Sequence, residues 1–252
     1  MQPDRITSIK QCISTEERRQ RLGVAFLNLI VWLAIIVFCV LSFGVLLVFF
    51  LVGWIVNYLL AEYNVRKIQA LGVTVSRWQF PQVAEALAEV CQRFGVAALP
   101  RVVVVNSGET NAFAVKFARK RVVLILSELL ESILDSPREL RAVLGHEVAH
   151  TVLDHGARGA FEVVKPAKYK AARELTCDNV GLVAAGELEA AKTMIKKLCV
   201  GKRLFGALSE EAMVAEAEAI YSGFVGWLLR RHLTYPPAGA RIKNLHRFAQ
   251  EV

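Results

Sequence analysis

The sequence predicts an α+β protein that is mostly helical, with a small β-sheet, preceded by a transmembrane helical hairpin. Three observations lead to this prediction: an uncharged apolar segment at residues 22–61, a group of β-rich runs between 101 and 126, and helical periodicity over most of the rest. Apolar residues make up 54% of the 252 residues, more than the about 45–50% of an ordinary soluble domain. The excess lies in the N-terminal segment.

That segment contains no Asp, Glu, Lys, Arg or His from Leu22 to Ala61. As one helix it would be about 60 Å long, twice the roughly 30 Å hydrocarbon core of a bilayer. Division at Ser42-Phe43-Gly44 gives two spans, at about 22–41 and 45–61. A single span continued by an interfacial or buried helix is the alternative. A cleaved signal peptide fits less well, because its apolar region is only about 7 to 15 residues long.

Basic residues flank the apolar segment on both sides. Arg18, Arg19 and Arg21 precede it, and Arg66 and Lys67 follow it. The positive-inside rule therefore predicts a multi-pass protein of the cell membrane with both flanks in the cytoplasm. The net charge of +8 fits contact with an anionic inner leaflet of the lipid bilayer. Because the Lys and Arg residues are dispersed, no nucleic acid partner is expected.

Four segments are predicted: an N-terminal arm at 1–21, the hairpin at 22–61, a linker at 62–80 and a folded domain at 81–252. The five cysteines form no C-x-x-C pair, which argues against a disulfide framework or thiolate zinc site and favours a reducing compartment. Predicted strands are 101–105, 112–117 and 121–126, with a turn at 118–120. Predicted helices begin at Pro81 and cover 127–134, 169–185, 187–200, 209–221 and 223–232.

The motif H-E-x-x-H occupies residues 146–150. Ser136 and Pro137 favour the start of a helix before it, and Gly156 favours its end. On that helix His146 and His150 project from one face and are able to bind one metal ion. A pair of structural histidines bonded to neighbours is the alternative. In zinc hydrolases the glutamate of this motif takes a proton from water, a role that here falls to Glu147.

A catalytic zinc site needs a third protein ligand and keeps one position for water. Glu174 is the candidate, because a loop and a returning helix would bring its carboxylate back to the histidines. Asp178, one turn further on, is placed to accept the outer N–H of a histidine ligand. Alternatively, both carboxylates belong to a solvated acidic edge and pair with Lys170 or Arg173.

Together these motifs resemble the membrane zinc endopeptidases that include the HtpX heat-shock protease and the CAAX prenyl endopeptidase, a gluzincin group. The resemblance covers roughly residues 80 to 250. It rests on four blocks in the family's order, namely Asn111-Ala112-Phe113-Ala114, the H-E-x-x-H, the E-x-x-x-D from Glu174 to Asp178, and Pro236-Pro237 followed by Arg241-Ile242. The combination is much more specific than H-E-x-x-H alone.

The resemblance implies a zincin-like metallopeptidase domain with one Zn²⁺ per chain. Zinc would be held by His146, His150 and Glu174, with Glu147 as the base and Asp178 supporting the ligands. It also implies that residues 111–114, Asn111, Ala112, Phe113 and Ala114, form an edge strand along which the substrate backbone docks. His155 points away from the ligand face and is expected near the site or at the surface.

The chain departs from the family pattern in two places. Tyr235 stands where relatives commonly have a histidine thought to help at the transition state. The Tyr235 hydroxyl is able to donate a hydrogen bond to an oxyanion, His232 is a nearby substitute, and packing alone is the third possibility. Arg241 either binds substrate, holds Asp178 or is a surface charge.

The second departure concerns membrane spans. Relatives often carry further spans after the zinc helix, whereas the later apolar runs here are too short.

The sequence therefore predicts a membrane-anchored zinc endopeptidase that hydrolyses polypeptide substrates, either membrane proteins or misfolded ones, with its catalytic domain in the cytoplasm. Two other functions remain open. One is a catalytically impaired, zinc-binding membrane scaffold or regulator of the same fold, and the other is an amidase that acts on small molecules. Chelator-sensitive cleavage of an unfolded protein separates the endopeptidase from the scaffold, whereas an amidase would act on small molecules and not on polypeptides.

Overall fold

The computed structural model of the protein describes residues 6–117, 120–153 and 163–252. Three of the sequence predictions lie outside these residues: the turn residues Ala118 and Arg119, the helix end at Gly156, and the position of His155.

The N-terminal part of the chain contains two long helices, α1 (Thr15–Leu41) and α2 (Val45–Leu71). Phe43 and Gly44 form the tight turn between them, with φ of 49° and 82°. Both helices are long and apolar enough to cross a membrane, which confirms the predicted pair of apolar helices. They extend beyond the apolar segment, because α1 already begins within the predicted arm and α2 continues through the first half of the predicted linker.

Residues 6–17, called the N-terminal strap here, pack on the folded domain. Ile6, Ile9 and Cys12 belong to its hydrophobic core. The Ser14 backbone N–H donates to Thr176 Oγ1 at 2.9 Å, and the Thr176 hydroxyl donates to Glu17 Oε2 at 2.5 Å. The strap is thus a structural part of the domain, although the sequence predicted only an N-terminal arm at residues 1–21.

A four-stranded mixed sheet follows, with the strands in the order β1-β2-β4-β3. β2 and β4 are parallel, while β1 pairs with β2 and β3 pairs with β4 in the antiparallel sense. This confirms the predicted small mixed sheet with an inner strand near 121–126. The strands are β1 (Gly72–Thr74), β2 (Arg101–Val105), β3 (Ala112–Phe117) and β4 (Lys120–Leu126).

The sheet is covered on both faces. On one face Val65 of α2 packs against Val103 and Val122, so α2 runs directly from the apolar segment onto the sheet. On the other face Val123 and Ile125 belong to the main hydrophobic core, which also contains buried side chains of the helices that follow. Hydrophobic side chains at alternate positions of one strand therefore enter two separate cores.

Most of the remaining helices contribute buried residues to the main core around the sheet. All of them except the last were predicted, and the last shows a buried stripe of Ile242, Leu245 and Phe248. The helices are α3 (Pro81–Arg93), α4 (Ser127–Ile133), α5 (Pro137–Val152), α6 (Ala167–Ala185), α7 (Leu188–Val200), α8 (Glu210–Ile220), α9 (Gly223–His232) and α10 (Ala238–Glu251). Helices α8 and α9 together are apolar enough for a span, but the pair is bent by 97°.

Candidate metal centre

The site is built on α5 and α6, which cross at a pair of glycines. A Cβ atom on Gly145 would lie 2.6 Å from the Cβ of Ala184, and one on Gly181 would lie 2.7 Å from the carbonyl oxygen of Ala142. The absence of side chains at both positions lets the two backbones approach each other closely. Gly145 directly precedes His146, so this contact sets how far the histidines stand from α6.

We expect Gly145→Ala to lower both the melting temperature and the zinc affinity. Alanine is normally favoured over glycine inside a helix by about 1 kcal/mol, whereas overpacking a core costs about 1–3 kcal/mol. The clash should therefore outweigh the gain in helix propensity. Thermal unfolding and zinc titration measure the two effects.

Gly206→Ala is the matched control, because a Cβ atom there meets nothing within 4 Å. If Gly145→Ala proves as stable and as zinc-loaded as this control, the close crossing of α5 and α6 does not determine the site geometry.

Three side chains converge at the crossing. The Nε2 atoms of His146 and His150 are 3.1 Å apart. Glu174 Oε2 lies 3.4 Å from His146 Nε2, and Glu174 Oε1 lies 3.5 Å from His150 Nε2. The N-cap at Ser136, whose side chain accepts from the Glu139 backbone N–H, starts the helix that carries both histidines.

These separations suit a zinc ion. Zinc–nitrogen and zinc–oxygen bonds of about 2.1 Å in a tetrahedron place neighbouring ligand atoms about 3.4 Å apart. The distances of 3.1 to 3.5 Å among the nitrogens and carboxylate oxygens match that edge length. Cys177 offers a second combination, since its Sγ and a nitrogen of each histidine lie within 4.8 Å of one another. Burial raises the pKa of the Cys177 thiol well above its usual value, which disfavours the thiolate that zinc binds.

The pKa values of His146 and Glu174 are shifted in opposite directions. Burial alone would lower the pKa of His146, but the hydrogen bonds and charges of Asp178 and Glu174 outweigh it and raise that pKa to about 10. Burial alone would raise the pKa of Glu174, whereas the hydrogen bonds from His146 and His150 hold it well below its usual range. A cation that binds here therefore displaces protons from imidazole, as metal ligation by histidine requires.

Glu147 projects from the same helix into the same space. Its side chain is buried, and no described residue forms a hydrogen bond with its Oε2. Burial raises the pKa of the Glu147 carboxyl. A buried carboxylate oxygen with no protein partner in the described chain is suited to a bound water or a substrate N–H.

Behind the histidines, Asp178 links α5 to α10. Asp178 Oδ1 lies 3.1 Å from His146 Nδ1, and Asp178 Oδ2 accepts from Arg241 Nε at 2.8 Å. The charge of Arg241 overcomes the effect of burial and lowers the pKa of Asp178. Arg241 is itself buried, and its guanidinium also donates to the Tyr235 hydroxyl and stacks on the ring at 4.6 Å. Of the roles considered for Arg241, the structure shows the one in which it holds Asp178.

A cavity of about 540 Å³ opens onto these groups. His146, Glu147, His150, Glu174, Tyr235 and the segment Asn111–Ala114 all line it, whereas Asp178, Arg241 and His232 do not. Lys170 and Arg173 also line it, although the sequence suggested them only as ion-pair partners. Lys170 lies four residues before Glu174 on the same helix and Arg173 directly before it, and these spacings were the available signal.

The described part of β3 forms one wall of the cavity. In the sheet, β3 pairs with β4 and with no other strand that the structure describes. Phe113 is exposed on it. An edge strand beside a cavity offers free backbone groups to an extended peptide.

The chain also matches a known family. The model of Peptidase family M48 matches residues 77–166. The predicted resemblance is confirmed. The Plastoglobule-localized metallopeptidase 48, chloroplastic, of Arabidopsis thaliana is 25% identical over 211 residues, which cover 71% of this chain and 60% of that protein. The chain thus spans about 60% of the length of this relative, and no solved structure matches it significantly.

The segment that matches the M48 family covers α3, the strands β2 to β4, α4 and all of α5. It includes both histidines and Glu147, and it ends before α6. The family match therefore says nothing about Glu174, Asp178 and Arg241. Their position at the site follows from the contacts described above. The family is one of zinc metallopeptidases, and the two N-terminal helices fit membrane anchoring.

Proposed function

We propose that this chain is a membrane-anchored zinc endopeptidase that cleaves membrane or misfolded proteins on the cytoplasmic side of the cell membrane. The observation that carries the proposal is the spacing of 3.1 to 3.5 Å among the nitrogens of His146 and His150 and the oxygens of Glu174. The family match and the two apolar helices support it.

In this proposal His146, His150 and Glu174 hold one zinc ion per chain. Zinc bound there would supply a Lewis acid and make an attacking water more acidic. Glu147 takes the proton of that water and returns it to the leaving amine. Its side chain lines the cavity, and its Oε2 has no hydrogen-bond partner among the described residues. No covalent bond between enzyme and substrate is required.

Asp178 keeps His146 in position, and Arg241 keeps Asp178 ionised. The hydrogen bond between Asp178 and His146 Nδ1 leaves Nε2 directed at the other two ligands. Arg241 donates to the Tyr235 oxygen, so the hydroxyl hydrogen of Tyr235 remains available for another acceptor. Burial raises the pKa of Tyr235, which keeps it a phenol able to donate to a developing oxyanion.

Substrate binds as an extended strand along β3, with its backbone paired to the free edge at residues 112–114. Such pairing reads backbone more than sequence. It favours unfolded or locally extended polypeptides over compact small molecules, which separates an endopeptidase from an amidase.

Cleavage of casein by the purified full-length protein tests the proposal. We expect casein to be degraded, a zinc chelator to stop degradation, and added zinc to restore it, with one zinc per chain measured by elemental analysis. An amidase would act on small amides and leave casein intact.

A zinc-binding scaffold would contain the metal and cleave neither casein nor small amides. Zinc-loaded protein that is folded by circular dichroism yet inactive on casein and on unfolded membrane-protein peptides would therefore contradict the endopeptidase proposal.

A further inference from the structure

Helix α9 exposes nearly all of its apolar side chains. Of its 10 residues only Gly226 is buried, whereas Phe224 and Val225 are each 75% exposed and Trp227 and Leu228 are also exposed. An isolated helix of this length is only marginally stable in water, and a contiguous exposed apolar patch marks a contact surface. Something must cover α9 in the working protein.

The hairpin fixes the level of the bilayer relative to the domain. The apolar part of α2, residues 45–61, is about 26 Å long. A segment of α1 of the same length that ends at Leu41 begins near Ala25. Asn28 lies one turn further into the apolar segment, and its amide pairs with the backbone N–H and C=O of Val164 at 2.8 and 2.9 Å. The domain surface around Val164 therefore reaches the edge of the hydrocarbon layer.

A second cavity places α9 at nearly the same level. It has a volume of about 600 Å³ and is lined by Arg19 and Gln20 of α1 together with Tyr221 and Arg230. Tyr221 follows α8 directly and Arg230 lies in the last turn of α9. The bend between these two helices, residues 220–225, is called the α8–α9 corner here. Arg19 and Gln20 precede Ala25 by one to two turns, or about 8 to 9 Å. That is the outer edge of the lipid headgroup layer, which is about 5 to 8 Å thick on each side of the hydrocarbon core.

The charges on this side of the domain complement an anionic membrane. Arg230 stacks on Tyr221 at 4.5 Å, and Arg231 stacks on Trp227 at 4.3 Å. Lys168, Lys243 and Arg247 line the second cavity together with Arg19 and Arg230, against two glutamates. Along α9 the apolar residues come first and Arg230, Arg231 and His232 come last, so the helix is polarised from an apolar to a cationic end.

We propose that the α8–α9 corner inserts into the bilayer leaflet on the side of the folded domain. Phe224 and Val225 enter the acyl region, and the basic end of α9 binds anionic phospholipid headgroups. This inference rests on the proposed membrane anchoring of the hairpin. Thr234 and Tyr235 follow α9 and line the metal-site cavity, so the insertion holds one wall of that cavity at the membrane surface, where it receives membrane-bound polypeptides.

Site-directed spin labelling of the full chain in nanodiscs of phosphatidylcholine and phosphatidylglycerol tests the proposal. Cys39 and Cys199, the cysteines that are not buried, are first replaced by alanine, and a nitroxide is attached to V225C. Accessibility to oxygen, which concentrates in acyl chains, is compared with accessibility to a water-soluble nickel chelate.

Two labels serve as references. L47C reports on the hairpin, where Leu47 is 53% exposed. L99C reports on water, because Leu99 is 55% exposed. Leu99 precedes β2, whereas the other end of β2, at Val105, pairs with Gly72 next to α2. Because oxygen is enriched among acyl chains and the nickel chelate stays in water, we expect the oxygen-to-nickel ratio at V225C to be several-fold higher than at L99C and close to that at L47C.

Each other outcome overturns the proposal in a distinct way. A membrane signal at L47C with an aqueous signal at V225C rejects the inserted corner and leaves the anchor intact. Aqueous signals at both positions reject the membrane anchor and, with it, the insertion. Protection of V225C from both reagents, with spin–spin broadening, would instead assign α9 to a contact between two copies of the chain.

Discussion

Glu147→Gln is expected to abolish cleavage while the protein stays folded and keeps its zinc. Glutamine has the same shape as glutamate but cannot accept a proton, and the Glu147 carboxylate is buried with no described hydrogen-bond partner on Oε2. A lost general base typically costs a factor of about 10² to 10⁴ in rate. The ratio kcat/KM on a quenched fluorescent casein peptide and the zinc content per chain are the two measurements.

Glu85→Gln is the matched control for this variant, since Glu85 is exposed on α3. It should retain full activity. Activity of Glu147→Gln within about threefold of that control would be far outside the loss expected of a general base, and the assignment of Glu147 would then be abandoned.

Glu174→Ala is expected to lower zinc affinity by about a hundredfold or more, because the loss of a supporting residue behind a metal ligand already costs about 10- to 100-fold. Cys177→Ala should leave zinc affinity and activity nearly unchanged. The two variants separate the two possible ligand sets, since Glu174 and Cys177 lie on the same helix and both approach the histidines. Competition with a fluorescent zinc indicator measures the affinities.

Cys177→Ala also controls for damage to α6, because the residue is completely buried. Should Cys177→Ala lose its zinc while Glu174→Ala keeps it, the site is a His-His-Cys centre and the proposed carboxylate ligand is wrong. Thermal unfolding of both metal-free variants shows whether either effect comes from the fold alone.

Local signals in the sequence account for most of the secondary structure. Ser136 and Pro137 mark the start of α5, and Gly186, whose φ is 74°, marks the end of α6. Both capping signals involve residues within one helical turn, so helix ends of this kind are predictable without knowledge of tertiary contacts. The β-rich runs and the turn residues between them likewise predicted the sheet.

Features that depend on distant contacts escaped prediction. The strap residues lie about 160 positions before their partners on α6, as the bond between Ser14 and Thr176 shows, and no local pattern marks such a pair. Gly145 and Gly181 look like ordinary weak helix positions until the crossing of α5 and α6 is known. Arg241 could not be assigned a role because its helix, α10, was not predicted, and its burial depends on Asp178.

The N-terminal strap also constrains the order of biosynthesis. Ser14 is synthesised 162 residues before Thr176, its partner on α6, which corresponds to roughly 8 to 30 s of translation at about 5–20 residues per second. Under the proposed membrane anchoring, the hairpin between them has time to insert into the membrane before the strap finds its partner. Glu174, the proposed third zinc ligand, lies on the same helix as Thr176, so it is also synthesised after both apolar helices.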